Sequence, residues 1–263
     1  MTGVDPAFKR RPSGGEPVVG AWLSLGSPAL AELTAILGFD FGLIDVEHAP
    51  TTMETVQGMI HAAESDEAAA HVLVRVPDAG AGPIKQVLDA GAAGVMVPMV
   101  DDAAEAREAV ANARYPPEGQ RGIAGSRATA YGRRFEEHVT TANDGVVVVA
   151  QIETRSGLEN VEGIAAVDGI DALFVGPADL SGSLDAFAEW DSDRLADAMA
   201  RVVDAAGDAG IAAGTLCVSP EDIPRRVEAG FDFLIVGKDT AFFARAATGA
   251  KETYEDAVDG RDP

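Results

Sequence analysis

The sequence predicts an α/β fold, a single-domain (β/α)8 TIM barrel, on three observations. Short apolar, β-branched segments alternate with Ala-rich segments of helical period; eight such pairs fit in the chain; and polar residues recur at the carboxyl ends of the apolar segments. Strands that are apolar along their whole length, each followed by a helix, form a parallel sheet covered by helices. Eight units in 263 residues match a closed barrel, typically about 250 residues long. A doubly wound open sheet is the alternative, and it is disfavoured because no GxGxxG follows the first strand.

In chain order the strand segments are 18–26 (VVGAWLSLG), 41–48 (FGLIDVEH), 70–77 (AHVLVRVP), 94–100 (GVMVPMV), 146–154 (VVVVAQIET), 171–180 (DALFVGPADL), 211–217 (IAAGTLC) and 231–237 (FDFLIVG). Helical period falls on 28–37, 53–64, 83–90, 102–112, 157–167, 192–209, 220–229 and 241–250. Residues 1–17 have basic residues but no apolar run and read as a flexible N-terminal segment; 18–255 is the barrel and 256–263 a C-terminal tail. Two connections are unusually long. The one at 114–145, rich in Gly, Pro and Arg, reads as a substrate loop. The one at 181–193 reads as a cover for the barrel mouth or an arm to a neighbouring subunit.

Composition narrows the class. At 47% hydrophobic residues the chain can bury a sizeable core. It contains no run of about 18 apolar residues, and nothing like a signal peptide, so a soluble cytoplasmic protein is expected. Cys217 is the only cysteine, which excludes an internal disulfide and any thiolate cluster. Forty-three acids against 20 bases give a formal charge of -23, which repels phosphate backbones and anionic lipid. Nucleic acid and membrane are therefore excluded as partners. Sixteen arginines against four lysines, with this acid excess, suggest a halophilic-type surface suited to a salt-rich cytoplasm.

In a barrel the active site lies where the strands finish. Those ends supply Trp22, then Asp45, Glu47 and His48, then Arg75, Gln151 and Glu153, the stretch Gly176-Pro177-Ala178-Asp179, and Lys238 with Asp239. Glu153 and Asp179, on adjacent strands with no cysteine or second histidine nearby, form a hard oxygen site that suits Mg2+ or Mn2+ with open coordination positions. They would equally serve as caps of the helices that follow, beside Ser156 and Ser181. Arg75 leaves an apolar strand and needs an anion, either a substrate carboxylate or one of the chain's own acids. His48 is the histidine at a strand end, with a side chain suited to proton transfer near neutrality. Asp45, Glu47 or Asp89 could orient it.

Taken together, GFDFGLIDVEHAP (38–50), VRVP (74–77), IKQVLDAGAAGVMVPMV (84–100), ARYPPEGQRGIAG (113–125), QIETRSGLENV (151–161) and VDGIDALFVGPADLSGSL (167–184) resemble the HpcH/HpaI aldolase family, metal-dependent class II pyruvate aldolases. The resemblance runs from about residue 18 to 250. It implies a (β/α)8 barrel with an exchanged C-terminal helix, assembled as a hexamer built as a trimer of dimers. It implies aldehyde-lyase chemistry: reversible cleavage of a 4-hydroxy-2-oxo acid to pyruvate and an aldehyde through a metal-stabilised enolate. The metal carboxylates fall on Glu153 and Asp179, and the ion would be Mg2+ or Mn2+, with Co2+ a further candidate. The pyruvate-binding arginine falls on Arg75 and the base on His48, paired with Asp89. Gln151, Gly176, Pro177, Ala178 and Trp22 fall on the pyruvate pocket, and Asp45 and Glu47 on supporting positions.

The chain departs from the family pattern at 182–193, around 215–222 and at Lys238, segments that border the aldehyde side. A second carboxylate on the aldehyde would need a counter-charge there, for which Arg121, Arg127 or Arg133 are the candidates. Three other readings remain: a Schiff-base aldolase with Lys238 as nucleophile, a citrate lyase β-like lyase of a CoA thioester, and a non-catalytic barrel that binds an oxoacid.

Overall fold

The structure, a computed structural model, describes residues 5–65 and 69–259. Eight parallel strands, β1 (Val18–Leu23), β2 (Phe41–Asp45), β3 (His71–Arg75), β4 (Gly94–Val97), β5 (Val147–Ile152), β6 (Ala172–Val175), β7 (Ala212–Leu216) and β8 (Phe233–Lys238), pair in sequence order, and β8 closes onto β1. The closed barrel excludes the doubly wound alternative. The strand period of two divides each strand between two cores. Leu43, Leu73, Met96, Val149, Phe174 and Phe233 fill the barrel interior. Their neighbours Ile44, Val74, Val95, Val148, Leu173 and Leu234 face the helices.

The helices are α1 (Pro6–Ser13), α2 (Pro28–Ile36), α3 (Met53–Ala63), α4 (Ala81–Asp89), α5 (Ala103–Ala113), α6 (Phe135–Thr141), α7 (Arg155–Glu159), α8 (Val161–Ala165), α9 (Pro177–Ser183), α10 (Asp193–Ala209), α11 (Asp222–Glu228) and α12 (Asp239–Asp259). The longest amphipathic one, α10, turns Leu195, Met199 and Val202 inward, starts at Ser192, whose side chain accepts from Leu195 N, and stops at left-handed Gly210. No helix among the described residues is long and apolar enough to cross a membrane.

Several expectations change here. Within the N-terminal segment expected to be flexible, Asp5 caps α1, and Phe8 is buried against His71 (ring centroids 4.1 Å apart) and Phe41 (6.2 Å). Lys9 Nζ adds a bond to Val146 O (2.8 Å) and an ion pair with Asp171 (3.1 Å). The first turn supplies what the sequence conceals: a single aromatic on a short polar helix is enough to plug the barrel floor. Residues 1–4 and 260–263 lie outside the described residues, and 256–259 continue α12 instead of forming a tail.

The long connection at 114–145 joins the end of α5 to the start of β5, so it lies at the amino end of the barrel, opposite the strand carboxyl ends. It is therefore not a substrate loop of its own barrel. Arg127 ties it to the α3 and α4 exits through Glu64 (2.6 Å) and Ala90 O (2.9 Å), and Arg121 donates to Asp89 (2.8 Å). The strand expected over 171–180 ends at Val175, because Pro177 opens α9. The single helix expected over 157–167 is broken at Asn160 into α7 and α8.

Candidate active site at the strand carboxyl ends

The mouth of the barrel opens into a cavity of about 320 Å3 lined by Trp22, His48, Arg75, Gln151, Phe174, the 176–179 stretch, Trp190, Leu216 and Lys238, among others. Trp190 reaches it from the 181–193 segment, so that segment covers the mouth. A larger cavity of about 420 Å3 lies at the floor, lined by Asp5, Glu64, His71, Arg134, Glu137 and His138. Size does not decide between them, because the buried polar side chains of the strand ends gather at the mouth.

Arg75 is the most firmly held member. It is buried, its Nε and Nη2 donate to Asp45 Oδ1 (3.1 Å) and Oδ2 (2.7 Å), and Nη1 stands 2.8 Å from Glu47 Oε2. The register that sets Asp45 opposite Arg75 on neighbouring strands makes this bidentate pair local. Trp22 completes the frame, with its ring 4.6 Å from the guanidinium and its Nε1 donating to Asp45 Oδ2 (3.3 Å). Burial alone would push the Asp45 carboxyl up, but the hydrogen bonds and charge of Arg75 outweigh it and hold the pKa below its usual value. Glu47 goes the other way: burial raises it despite the positive charge of Arg75. Asp45 and Glu47 are thus supporting partners of Arg75, and Asp45 Oδ1 also accepts from the backbone N–H of Glu47 (3.1 Å) and His48 (3.2 Å).

Glu153 is buried just past β5. Its Oε1 accepts from Met99 N (2.8 Å) and its Oε2 from the Gln151 side-chain amide. Thr154, not Glu153, caps α7 by accepting from Gly157 N, which removes the capping alternative for Glu153. Asp179 sits in the first turn of α9, whose first residues receive no side-chain cap. Burial lifts the Glu153 pKa to about 7, and the nearby Asp179 and Glu47 carboxylates add to that rise.

That cluster fits a divalent cation. Its donors are hard oxygens, they destabilise one another's charge, and the buried Gln151 Oε1 has no hydrogen-bond partner among the described residues. At Gly176 a Cβ would stand 2.5 Å from Glu153 Oε2, so only glycine leaves the carboxylate its place. Among the described residues no three His, Cys, Asp or Glu side chains form an all-protein cage. Two carboxylates would leave most positions to water and substrate, the usual arrangement for Mg2+.

His48 lines the cavity, largely exposed, with Nε2 3.7 Å from Glu47 Oε1. Its expected partner Asp89 is not beside it. Asp89 closes the carboxyl end of α4, which leads into the amino end of β4, and it is paired with Arg121. Lys238 is half-buried with Nζ 4.9 Å from the Trp22 ring, and burial lowers its pKa, so it has the desolvated setting that the Schiff-base reading requires. The contribution of Met99 was not legible: it depends on a left-handed backbone (φ 54°) that the motif VPMV does not announce.

A family model described as HpcH/HpaI aldolase/citrate lyase matches residues 19–246. The hydroxypyruvate/pyruvate aldolase of Paraburkholderia phytofirmans is 42% identical over 240 residues, covering 89% of this chain and 92% of its own. The 2-keto-3-deoxy-L-rhamnonate aldolase of Klebsiella pneumoniae is 41% identical, covering 91% and 89%. A crystal structure of an HpcH/HpaI aldolase/citrate lyase family protein from Burkholderia cenocepacia superposes with a TM-score of 0.92 at 37% identity, covering 95% of this chain and all of that one.

Proposed function

The chain belongs to the HpcH/HpaI aldolase/citrate lyase family, and from that premise we propose that it is a divalent-metal-dependent pyruvate aldolase, cleaving a 4-hydroxy-2-oxo acid reversibly to pyruvate and an aldehyde. The observation that carries this reading is the buried carboxylate of Glu153, which accepts from the Gln151 amide and feels the charges of Asp179 and Glu47, beside a cavity that Gln151 lines together with Asp179, Arg75 and His48. Glu153 and Asp179 would hold Mg2+ or Mn2+, with Co2+ a third candidate. When bound, the ion supplies a Lewis acid that stabilises negative charge growing on the keto oxygen of the substrate.

The chain's own groups account for the rest. Arg75, fixed by Asp45, Glu47 and Trp22, presents a preorganised positive charge to the same oxygen, and its rotamer does not have to be found during the reaction. Gln151, Gly176, Pro177 and Ala178 shape the pyruvate half, and Phe174 and Leu216 exclude water. In cleavage the C3–C4 bond breaks and its electron pair stays on the three-carbon fragment as an enolate. The C4 hydroxyl loses its proton to His48, and the aldehyde departs. A proton returned to C3 then completes pyruvate.

In this reading the His48–Asp89 pair forms between two copies of the chain, because Asp89 lies at the far end of its own barrel. That makes the enzyme a homo-oligomer, a hexamer by family expectation, with incomplete sites in the monomer. The largely exposed α12 is the segment available for exchange.

The test is exchange of pyruvate methyl protons into deuterated solvent, followed by NMR in high salt with Mg2+ or Mn2+ and then with EDTA. The expected result is exchange that needs the metal and disappears in Glu153→Ala. Exchange that persists in EDTA, with pyruvate trapped on Lys238 by borohydride, would replace this reading with the Schiff-base one, which the half-buried Lys238 favours. No exchange under any condition would remove both.

A further inference from the structure

Arg75 with Asp45 and Arg121 with Asp89 pair the same two residue types around a buried guanidinium, in two geometries. Arg75 gives Nε and Nη2 to the two oxygens of Asp45 and Nη1 to Glu47, so that pair is closed on itself. Arg121 meets Asp89 through a single bond, Nη2 to Oδ1 (2.8 Å). Among the described residues its Nε has no hydrogen-bond partner, and Asp89 Oδ2 receives no hydrogen bond. A guanidinium buried only to tie a loop down gains most from the full fork. Here one carboxylate oxygen is gripped and the other is left over.

The 114–145 loop holds Arg121 in that position. Tyr115 is fully buried with its ring 4.4 Å from the guanidinium, and Asn143 clamps Tyr115, accepting from its N–H (2.8 Å) and donating to its carbonyl (3.0 Å). The N–H of Arg121 itself donates to Arg114 O (2.9 Å). Docking of the loop does not rest on Arg121 alone, because Arg127 already joins it to Glu64 and Ala90 O. Asp89, meanwhile, is part of the wall of an open groove of about 530 Å3, with Met53, Gln57, Gln86, Ser126 and Tyr131. It is held on one side and reachable from the other.

We propose that Arg121 is a positioning residue: it fixes Asp89 by one carboxylate oxygen so that the other can orient His48 of the partner subunit. The assignment rests on the pyruvate aldolase reading and on the pairing across copies that goes with it. A carboxylate directs an imidazole and stabilises the imidazolium only if its own rotamer is fixed. Arg121, expected as a counter-charge for the aldehyde, is committed to Asp89 instead. The long loop thus serves catalysis without touching substrate in its own barrel.

The experiment separates two reactions. Cleavage of 4-hydroxy-2-oxobutanoate, the smallest member of the proposed substrate class, needs the C4 hydroxyl proton removed; exchange of pyruvate methyl protons involves no such hydroxyl. Arg121→Met is expected to lower kcat for cleavage about ten- to a hundredfold, within what an oriented general base contributes, while KM and methyl exchange change less than about threefold. Arg121→Lys should retain part of the cleavage, and it carries the test if the Met variant does not fold. In an Asp89→Asn background Arg121→Met should add no further loss, because the two residues act as one unit. Co-expression of His48→Asn with Arg121→Met should restore cleavage above either variant alone, since about a quarter of the sites in mixed assemblies combine an intact His48 with a held Asp89. Cleavage and exchange that fall in equal proportion, losses that multiply with Asp89→Asn, cleavage unchanged in both Arg121 variants, or no restoration on co-expression would each overturn the proposal. Failure of the aldolase reading shows differently, in wild-type enzyme, as absence of metal-dependent exchange or of cleavage.

Discussion

The two ends of the barrel both bury a carboxylate, and they treat it differently. At the floor, burial raises the pKa of Asp171, but Lys9 and Val148 N answer its two oxygens, at 3.1 and 2.8 Å. At the mouth, Glu153 has two hydrogen bonds but, among the described residues, no cation within ion-pair distance, and Asp179 and Glu47 push its pKa further up. The floor is electrostatically closed, and the mouth leaves a negative cluster for something else to balance. Structural and functional carboxylates are thus told apart by what is missing around them, not by burial.

The largest effects should separate the two ends. Glu153→Gln or Asp179→Asn is expected to lower pyruvate proton exchange on the order of 10^3-fold, since the loss of a Lewis acid costs several kcal/mol of transition-state stabilisation. Asp171→Asn should leave exchange within about threefold, because a substitution at the floor, away from the reacting atoms, acts on stability first. Equal losses at both ends, measured by NMR on folded protein, would dissolve the distinction.

Next comes stability. Phe8→Ala should cost about 3 kcal/mol, as expected for an aromatic removed from a packed core, read as a lower urea midpoint with the pH profile of activity unchanged. An effect near zero would mean that α1 is not the plug the packing indicates.

A smaller effect concerns acid. Asp45 has a depressed folded pKa, so its pairing with Arg75 contributes stability that is present above the ordinary value of 3.8 and is lost as pH falls through the depressed one. Asp45→Asn should therefore lower stability at neutral pH and flatten the acid limb of the stability curve below about 4. An unchanged acid limb, followed by circular dichroism, would show that the pair is not coupled to folding. The smallest expected effect is at Cys217, buried with its thiol pushed up to about 11: folded enzyme at pH 8 should react with iodoacetamide at least about tenfold more slowly than a free thiol.

How much of this was legible follows the range of the interactions. The barrel could be read because its determinants are local: apolar runs at 41–45 and 147–152 and helical period at 193–209 each declare themselves within one element. The strand-end residues Arg75, Gln151 and Glu153 were legible once the barrel was. The rest depended on position in three dimensions. Nothing in RYPPEGQRGIAG says to which end of the barrel it packs; that follows from its place between α5 and β5. The plugging role of Phe8 needs the floor to exist, and the inward turn of Lys238 needs a one-residue register slip. Asp89 shows the same limit from the other side, since its motif is intact but the residue stands at the floor, paired with Arg121 and away from His48.

The most direct test of the central claim, that the unbalanced mouth is a divalent-cation site and the balanced floor is not, is a Mn2+ titration followed by electron paramagnetic resonance in high salt, which suppresses adventitious binding to an acidic surface. One tight Mn2+ per chain is predicted, lost in Glu153→Gln and in Asp179→Asn and retained in Asp171→Asn. Tight binding that survives both mouth substitutions, or that disappears with the floor substitution, would contradict the account.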